Sequence, residues 1–329
     1  MLIPAKQKAI LSILADGKFH SGSELAEKIT ISRSAICKQI NKITELGLEI
    51  CAITGKGYRL EQAIQLLSKS EIEQQLNTVS DGLIEQLEIH DVINSTNSYL
   101  FELPNKTTEN GVVCVAEYQD SGKGRRGRTW VSPFGSNIYL SILWNFQNGS
   151  ASINGLSLAV GVVVIQTLKS FGIEDVGLKW PNDILWRGKK LAGILIEVSG
   201  EANGPCTAVI GLGLNVYLPK KSAEPITQDW VDLKQIISEN VEINRNQLIA
   251  NLLNQLMPII ENFENDTLIH YLDNWRSHDC MAGKEVDIFI GEKSFTGIVK
   301  GIDDNGLLVL KDKQGSLRTF ASGEVSFHR

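Results

Sequence analysis

The sequence predicts a chain of mixed α+β class in three parts: a small helical head with a β-hairpin, a central body of sheet and helices, and a tail of short strands. Apolar residues repeat with helical spacing over residues 6–46, whereas the body and tail show many short strand-like runs between tight turns. Charge divides the chain in the same way. Residues 1–60 hold nine Lys/Arg and five Asp/Glu, a net charge of +4, although the whole chain has −6. A basic head on an acidic body is typical of an appended nucleic-acid-binding module.

Composition excludes several classes of protein. With 43% hydrophobic residues the chain can form a substantial core. It has neither an apolar run of about eighteen residues nor the pattern of a secretory signal, so we expect no membrane association. The cysteines are scattered singly without a CxxC pair, which favours a reducing, cytoplasmic location. The histidines lack metal-ligand spacing, so no zinc site is expected.

The sequence of the head predicts a winged helix-turn-helix. A first helix over 6–15 is followed by Ser21, which with Glu24 has the capping-box spacing of a helix start. Ser32 begins a third helix that continues to about Leu46. The short connection between the last two helices indicates a helix-turn-helix. Residues 49–53 and 58–60, joined by a turn, form the predicted wing.

The third helix offers hydrogen-bond donors that suit phosphates and base edges. We therefore expect the head to bind DNA, although a small helical domain that binds protein or only fills the fold is the alternative. The candidate DNA-binding residues are Gly22, Ser23, Ser32, Arg33, Ser34, Lys38, Gln39 and Asn41.

The body alternates buried strands with helices. We expect strands at 84–90, 112–118 and 137–146, a helix from Ser95 to Leu103, and an apolar helix over 154–171. Strands at 178–180, 184–186, 189–198 and 207–216 with tight turns predict an antiparallel meander. A helix over 246–263 should kink at Pro258. The tail strands at 285–290, 294–302, 307–311 and 317–320 predict a small barrel. The expected divisions are 1–62, a linker at 63–78, 79–268 and 269–329.

A glycine- and arginine-rich segment, Gly122 to Arg128, lies between two buried strands. Glycine lets the backbone approach an anion, and arginine grips a phosphate or carboxylate with two parallel bonds. The alternatives are an RNA-binding tract or a solvated run of charge, but such tracts are long and repetitive. We favour a phosphate-binding loop on a rigid scaffold. It is not a Walker A loop, because no Gly-Lys-Ser/Thr ends it.

Two further segments stand out. Lys179-Trp180-Pro181-Asn182-Asp183 is followed by Gly188-Lys189-Lys190-Leu191-Ala192-Gly193, and the periodicity does not decide which lysine faces inward. Gly211 and Gly213 lie inside a predicted strand before Asn215, which suggests the close approach of a ligand.

In their order these segments resemble bacterial biotin protein ligases, which share a catalytic core with lipoate ligases. The similarity covers nearly the whole chain, and Ser-Arg-Ser-Ala-Ile and Gly-Lys-Gly-Tyr-Arg-Leu in the head resemble the biotin-operon repressor type. The resemblance implies an ATP-dependent biotin–[biotin carboxyl-carrier protein] ligase with a biotin/lipoate ligase-like body at 79–268. It also implies biotinyl-5'-AMP as intermediate and co-repressor, and Mg²⁺ as cofactor. The implied partners are the carrier protein of acetyl-CoA carboxylase, operator DNA and a second copy of the chain in a ligand-induced homodimer.

The resemblance also assigns roles to residues. Lys190, Asp183 and Arg125 are the implied catalytic residues, with Asp183 toward magnesium. The implied biotin-binding residues are Ser95, Thr96, Asn97, Gln119, Lys123, Gly124, Arg125 and Lys190. The implied nucleotide-binding residues are Arg125, Arg126, Arg128, Asn182, Asn215 and Trp230. The family commonly has arginine where this chain has Lys123, which keeps the charge but removes the two-pronged geometry.

Three alternative functions remain open. Lipoate ligation would use the same body fold, but the basic head and the spacing between the two lysine motifs favour biotin. A metabolite-sensing repressor with an inactive body is disfavoured by the presence of Arg125, Asp183 and Lys190. A ligase whose head no longer binds DNA is disfavoured by the head's charge of +4.

Overall fold

The head forms three helices and a two-stranded antiparallel sheet in the computed structural model, which describes residues 3–103, 109–200, 204–237, 243–265 and 268–327. Its elements are α1 (Ala5–Leu14), α2 (Gly22–Ile29), α3 (Arg33–Thr44), β1 (Ile50–Ile53) and β2 (Gly57–Leu60). The two predicted helix starts are confirmed. The Ser21 hydroxyl accepts from the Glu24 amide at 3.1 Å, and the Ser32 hydroxyl accepts from the Ala35 amide at 3.2 Å.

The segment after the hairpin is bound to the body. It contains α4 (Lys69–Glu73) and α5 (Thr78–Leu83). The Arg245 guanidinium donates to the Gln65 carbonyl at 2.6 Å, and the Ser68 amide donates to Asn246 Oδ1 at 3.0 Å. From its polar composition alone this segment looks like a linker. The partners that fix its backbone lie about 180 residues further along the chain, so the local sequence does not reveal them.

The centre of the body is a seven-stranded mixed sheet. Its strands are β3 (Gln86–His90), β4 (Val112–Ala116), β5 (Ile138–Phe146), β6 (Val176–Lys179), β7 (Asp183–Trp186), β8 (Lys189–Gly200) and β9 (Cys206–Leu214), in the order β3-β4-β5-β9-β8-β7-β6. Only β3 and β4 pair in parallel. The antiparallel meander predicted for β6 to β9 is confirmed.

Helices cover both faces of this sheet, which explains why β4 is apolar throughout and β5 is buried over nearly its whole length. The body helices are α6 (Thr96–Phe101), α7 (Leu156–Ser170), α8 (Lys220–Ala223), α9 (Leu233–Ile236), α10 (Arg245–Asn262) and α11 (Ile269–Ser277). Leu100 of α6 packs with Cys114 and Val209, whereas α7 and α10 belong to the main core on the other face. Pro258, the site of the expected kink, lies inside α10 without ending it.

The tail forms a five-stranded antiparallel sheet. Its strands are β10 (Glu285–Ile290), β11 (Lys293–Ile302), β12 (Leu308–Lys311), β13 (Leu317–Phe320) and β14 (Glu324–Phe327), in the order β13-β12-β11-β10-β14. The sequence indicates the first four and misses β14. A barrel is expected from strand spacing, but over the described residues β13 and β14 are not paired, so the ladder is open. No helix within the described ranges is long and apolar enough to cross a bilayer.

Candidate active site

A depression in the central sheet forms the floor of the candidate site. Gly193 of β8 pairs with Gly213 of β9, and Gly211 lies one row further along the same face. A Cβ atom at Gly211 would lie 2.0 Å from Asn97 Oδ1, and one at Gly213 would lie 2.4 Å from Trp130 Cε2. These two strand glycines therefore make room for side chains of the protein itself, which in turn line the pocket. The glycines also line the pocket themselves, and the close approach of a ligand to this strand stays a prediction.

The first turn of α6 lies above this floor. Ser95 is its N-cap and accepts from the Ser98 amide at 3.4 Å. Gln119 Oε1 accepts from the Thr96 amide at 2.9 Å and from the Thr96 hydroxyl at 3.2 Å. Gln119 Nε2 then donates to the Ser132 hydroxyl at 2.9 Å. The structure thus brings together the predicted Ser95, Thr96, Asn97 and Gln119 in one polar wall.

The glycine- and arginine-rich loop divides its charges between two surfaces. Arg125 is half-buried and donates to Asn182 Oδ1 at 2.9 Å, and burial lowers the pKa of its guanidinium. Arg126 donates to the Phe289 carbonyl at 3.1 Å, and Arg128 forms an ion pair with Glu324 of the tail sheet. Of the loop cations, Lys123 and Arg125 therefore line the pocket above the floor, together with Gly124.

Lys190 is the inward-facing lysine of the β7–β8 hairpin. Its ammonium lies 2.8 Å from Asp183 Oδ1 and 5.5 Å from the centre of the Trp130 ring, whereas Lys189 is exposed. A β-bulge shifts the register so that Leu185 pairs with Lys190 while Ile184 pairs with Ala192. Without the bulge, strict alternation would place Lys190 on the core face with Ala192.

Lys179 is a further cation at this site. It pairs across the hairpin with Asp183, and burial lowers the pKa of its ammonium. The predicted site residues do not include it, although it is the first residue of the Lys-Trp-Pro-Asn-Asp motif. The sequence also gives no signal for four other residues of this site: Trp130, Ser132, Ser141 and Glu197. A single polar or aromatic residue in or beside a strand cannot be assigned to a site until the facing strands are known.

Two adjoining spaces meet at Trp130 and Lys190. The first, above the glycine floor, has a volume of about 50 Å³. The second is a cleft of about 730 Å³ whose lining includes Arg128, Lys179, Asn215 and Trp230. Asn182 and Arg126 line a smaller cavity beside it. A small-ligand pocket next to a cationic cleft suits a two-substrate reaction.

A magnesium ion would have few protein ligands at this site. Within the described ranges, no three His, Cys, Asp or Glu side chains are grouped so that they could hold a metal. Asp183 offers one carboxylate, already paired with Lys190. Magnesium is usually held by one or two carboxylates together with substrate phosphates, so Asp183 fits as a ligand when a nucleotide supplies the remaining oxygens.

The candidate DNA-binding residues lie on the outer surface of the head. On α3, Arg33, Ser34, Lys38 and Asn41 are exposed, as is the N-cap Ser32, and Ser23 is exposed on α2. Gln39 is half-buried and its side-chain oxygen accepts from Gln7 Nε2 at 3.1 Å. Gly22 lies beneath the Tyr58 ring and the Arg33 side chain, where a Cβ atom would be 3.5 and 3.6 Å away.

Three family models match consecutive parts of the chain. The HTH domain matches residues 6–59, the biotin/lipoate A/B protein ligase family matches 89–215, and the biotin protein ligase C-terminal domain matches 282–328. Among solved structures, a biotin protein ligase from Aquifex aeolicus in complex with biotin and ATP superposes with a TM-score of 0.62 at 26% identity. That match covers 75% of this chain and 100% of the other.

Full-length relatives give the same result. The bifunctional ligase/repressor BirA of Salmonella typhimurium is 39% identical over 317 residues, covering 96% of each chain. The Escherichia coli protein of that name is 38% identical, covering 96% of this chain and 95% of its own. Since the overall identity exceeds 30% and the match covers nearly the whole of both chains, the chain belongs to the family of the bifunctional biotin ligase/repressor BirA.

Proposed function

We propose that this chain activates biotin with ATP to biotinyl-5'-AMP and transfers the biotinyl group to a lysine of biotin carboxyl carrier protein. One observation carries the proposal: Lys190 and Arg125 lie between the polar wall of Thr96, Asn97 and Gln119 and a cleft large enough for a nucleotide. Biotin occupies the pocket above the glycine floor, with its carboxylate toward Lys190. ATP lies in the cleft lined by Lys179, Asn215 and Trp230.

Neutralising charge is the main task of the site. The biotin carboxylate must approach the α-phosphate of ATP, and two unit charges about 4 Å apart repel by about 4 kcal/mol at an effective dielectric constant near 20. Lys190 and Arg125 offset this repulsion and orient the carboxylate. Magnesium held by Asp183 and the phosphates would supply further positive charge to the departing pyrophosphate. The carrier lysine then attacks the acyl carbonyl, and AMP leaves.

An assay with both acids tests whether the chain prefers biotin to lipoate. We expect the purified chain to release pyrophosphate with biotin and ATP, and to pass radiolabelled biotin to a biotin carrier domain. Lipoate should be a poor substrate, because the pocket wall presents several hydrogen-bonding groups that the dithiolane ring of lipoate leaves unpaired. Equal turnover with lipoate would show that the pocket does not select biotin.

The head makes the same protein a repressor in this proposal. One head of net charge +4 neutralises only a few phosphates, and such binding has a Kd of about 10⁻⁴–10⁻⁶ M. Operator control needs about 10⁻⁸–10⁻¹¹ M, so two linked heads on two half-sites are required. Biotinyl-AMP would act as co-repressor by favouring dimerisation, and linkage then requires the dimer to bind adenylate more tightly.

An exposed edge of the central sheet supports this dimer. Strand β8 runs from Lys189 to Gly200, but β7 pairs with it only as far as Gly193. Beyond that point no strand of the described chain lies along this edge, and the Val198 side chain is 39% exposed. Such an edge is a template for pairing with a second copy.

Substitution of Val198 tests the dimer. Val198→Lys should weaken adenylate-induced dimerisation in sedimentation experiments and lower operator affinity in parallel, because a charged edge strand resists pairing. Val79→Lys is the matched control, since Val79 is also exposed but lies on α5. If adenylate changes neither the dimerisation constant nor the operator affinity of the wild-type chain, the proposed mode of repression is wrong. That result would not contradict the proposed ligase activity.

A further inference from the structure

Three polar side chains under the candidate biotin pocket form one hydrogen-bonded group: Asn97 of α6, Ser141 of β5 and Glu197 of β8. Asn97 is only 4% exposed. Its Nδ2 donates to the Leu195 carbonyl at 3.2 Å and to Glu197 Oε2 at 3.0 Å. Its Oδ1 accepts from the Ser141 hydroxyl at 2.6 Å. The amide is therefore held on both sides.

The chemistry of these partners fixes which way the amide points. Two acceptors, a carbonyl and a carboxylate, lie on one side of Asn97, so only its NH₂ group can face them without repulsion. A carboxylate is the stronger acceptor of the two because it is charged. The amide oxygen is consequently directed toward Ser141 and the pocket, into the space that Gly211 leaves by having no side chain.

The same carboxylate reaches the glycine- and arginine-rich loop. Glu197 Oε1 lies 3.7 Å from the ammonium of Lys123, whose side chain is 47% exposed. This longer, partly exposed pair is weak, so the bond to Asn97 is the principal role of Glu197. Strand alternation explains how Glu197 arrives there, because residues 193, 195 and 197 of β8 share the face that forms the pocket floor.

We propose that Glu197 is a positioning residue that sets specificity for biotin, acting through Asn97. By holding the Asn97 NH₂ group, it keeps an amide oxygen presented to the pocket as an acceptor. Such an acceptor selects a ring that carries an N–H donor, as the cyclic urea of biotin does, and leaves a ring without one unpaired. This proposal rests on the function proposed above.

The test separates binding from chemistry by measuring pyrophosphate release at varied biotin and varied ATP. Glu197→Ala should raise the KM for biotin about tenfold, the effect of losing one charge-assisted hydrogen bond. The KM for ATP and kcat should stay near wild type, because Glu197 does not contact the nucleotide cleft. Glu197→Gln should restore the KM for biotin, because its side-chain oxygen still accepts from Asn97.

Glu88→Ala is the matched control. Glu88 also bonds to α6, accepting from the Tyr99 hydroxyl at 2.7 Å, but it does not line the pocket. Its removal should leave the KM for biotin unchanged, whereas a general loosening of α6 would raise it in both variants and overturn the proposal. A wild-type KM for biotin in Glu197→Ala, or failure of Glu197→Gln to restore it, would also overturn the positioning role. Failure of the wild-type chain itself to make adenylate would instead overturn the proposed function.

Discussion

Lys190→Ala is expected to slow biotinyl-adenylate formation by about a thousandfold, the factor that corresponds to about 4 kcal/mol of unneutralised repulsion. The side chain of Lys190 is 15% exposed and its ammonium is the cation next to Asp183 in the pocket. Arg125 does not take its place in this arrangement, since its guanidinium donates to Asn182. Single-turnover formation of labelled adenylate measures the effect.

The adjacent lysine provides the control for this experiment. Lys189 has the same charge and lies on the same hairpin, but it is exposed on the surface. Lys189→Ala should therefore form adenylate at the wild-type rate. Both variants should unfold at similar urea concentrations, because neither side chain belongs to the hydrophobic core. A wild-type rate in folded Lys190→Ala would exclude the role assigned to this residue.

Arg245→Met is expected to destabilise the chain by about 3–5 kcal/mol, the usual cost of removing one partner of a buried ion pair. The Arg245 and Glu117 side chains are 4% and 2% exposed, and Nη1 of Arg245 lies 2.9 Å from Glu117 Oε2. The guanidinium also donates to the carbonyls of Gln65 and Asn137, and Glu117 accepts from the Leu67 amide. Removal leaves a buried carboxylate without its counter-charge and frees the segment that connects head and body.

Urea unfolding and hydrogen exchange measure the two consequences. The unfolding midpoint should fall. The Leu67 amide should exchange faster than in the wild-type chain, and its exchange should increase more than that of amides in the head core. The double variant Arg245→Met with Glu117→Leu should recover part of the loss, because it removes both charges together. Arg276→Met is the control, since Arg276 pairs with exposed aspartates on the surface. A loss below about 1 kcal/mol, the upper range of a surface pair, would contradict this account.

Local patterns were sufficient to predict the elements of the head. Ser21 and Ser32 indicate helix starts because a capping hydroxyl acts on an amide three residues away, within reach of the sequence itself. The meander from β6 to β9 was predicted for a similar reason, as its strands are joined by tight turns. The parallel pairing of β3 with β4 and the addition of β14 beside β10 depend on distant segments, and no local pattern indicates them.

The features of the candidate site likewise fall into those that the sequence indicates and those that depend on the tertiary structure. The sequence by itself determined the residue types that the chemistry needs: a cationic loop, the paired lysine motifs and a polar helix start, with a family resemblance that assigned them to biotin. Only the tertiary structure decided which of these groups meet. A bulge turns Lys190 rather than Lys189 toward the pocket, Glu324 engages Arg128, and Gly211 makes room for Asn97. The physical reason is that side-chain direction depends on strand register and close packing, which are set by contacts between residues far apart in the chain.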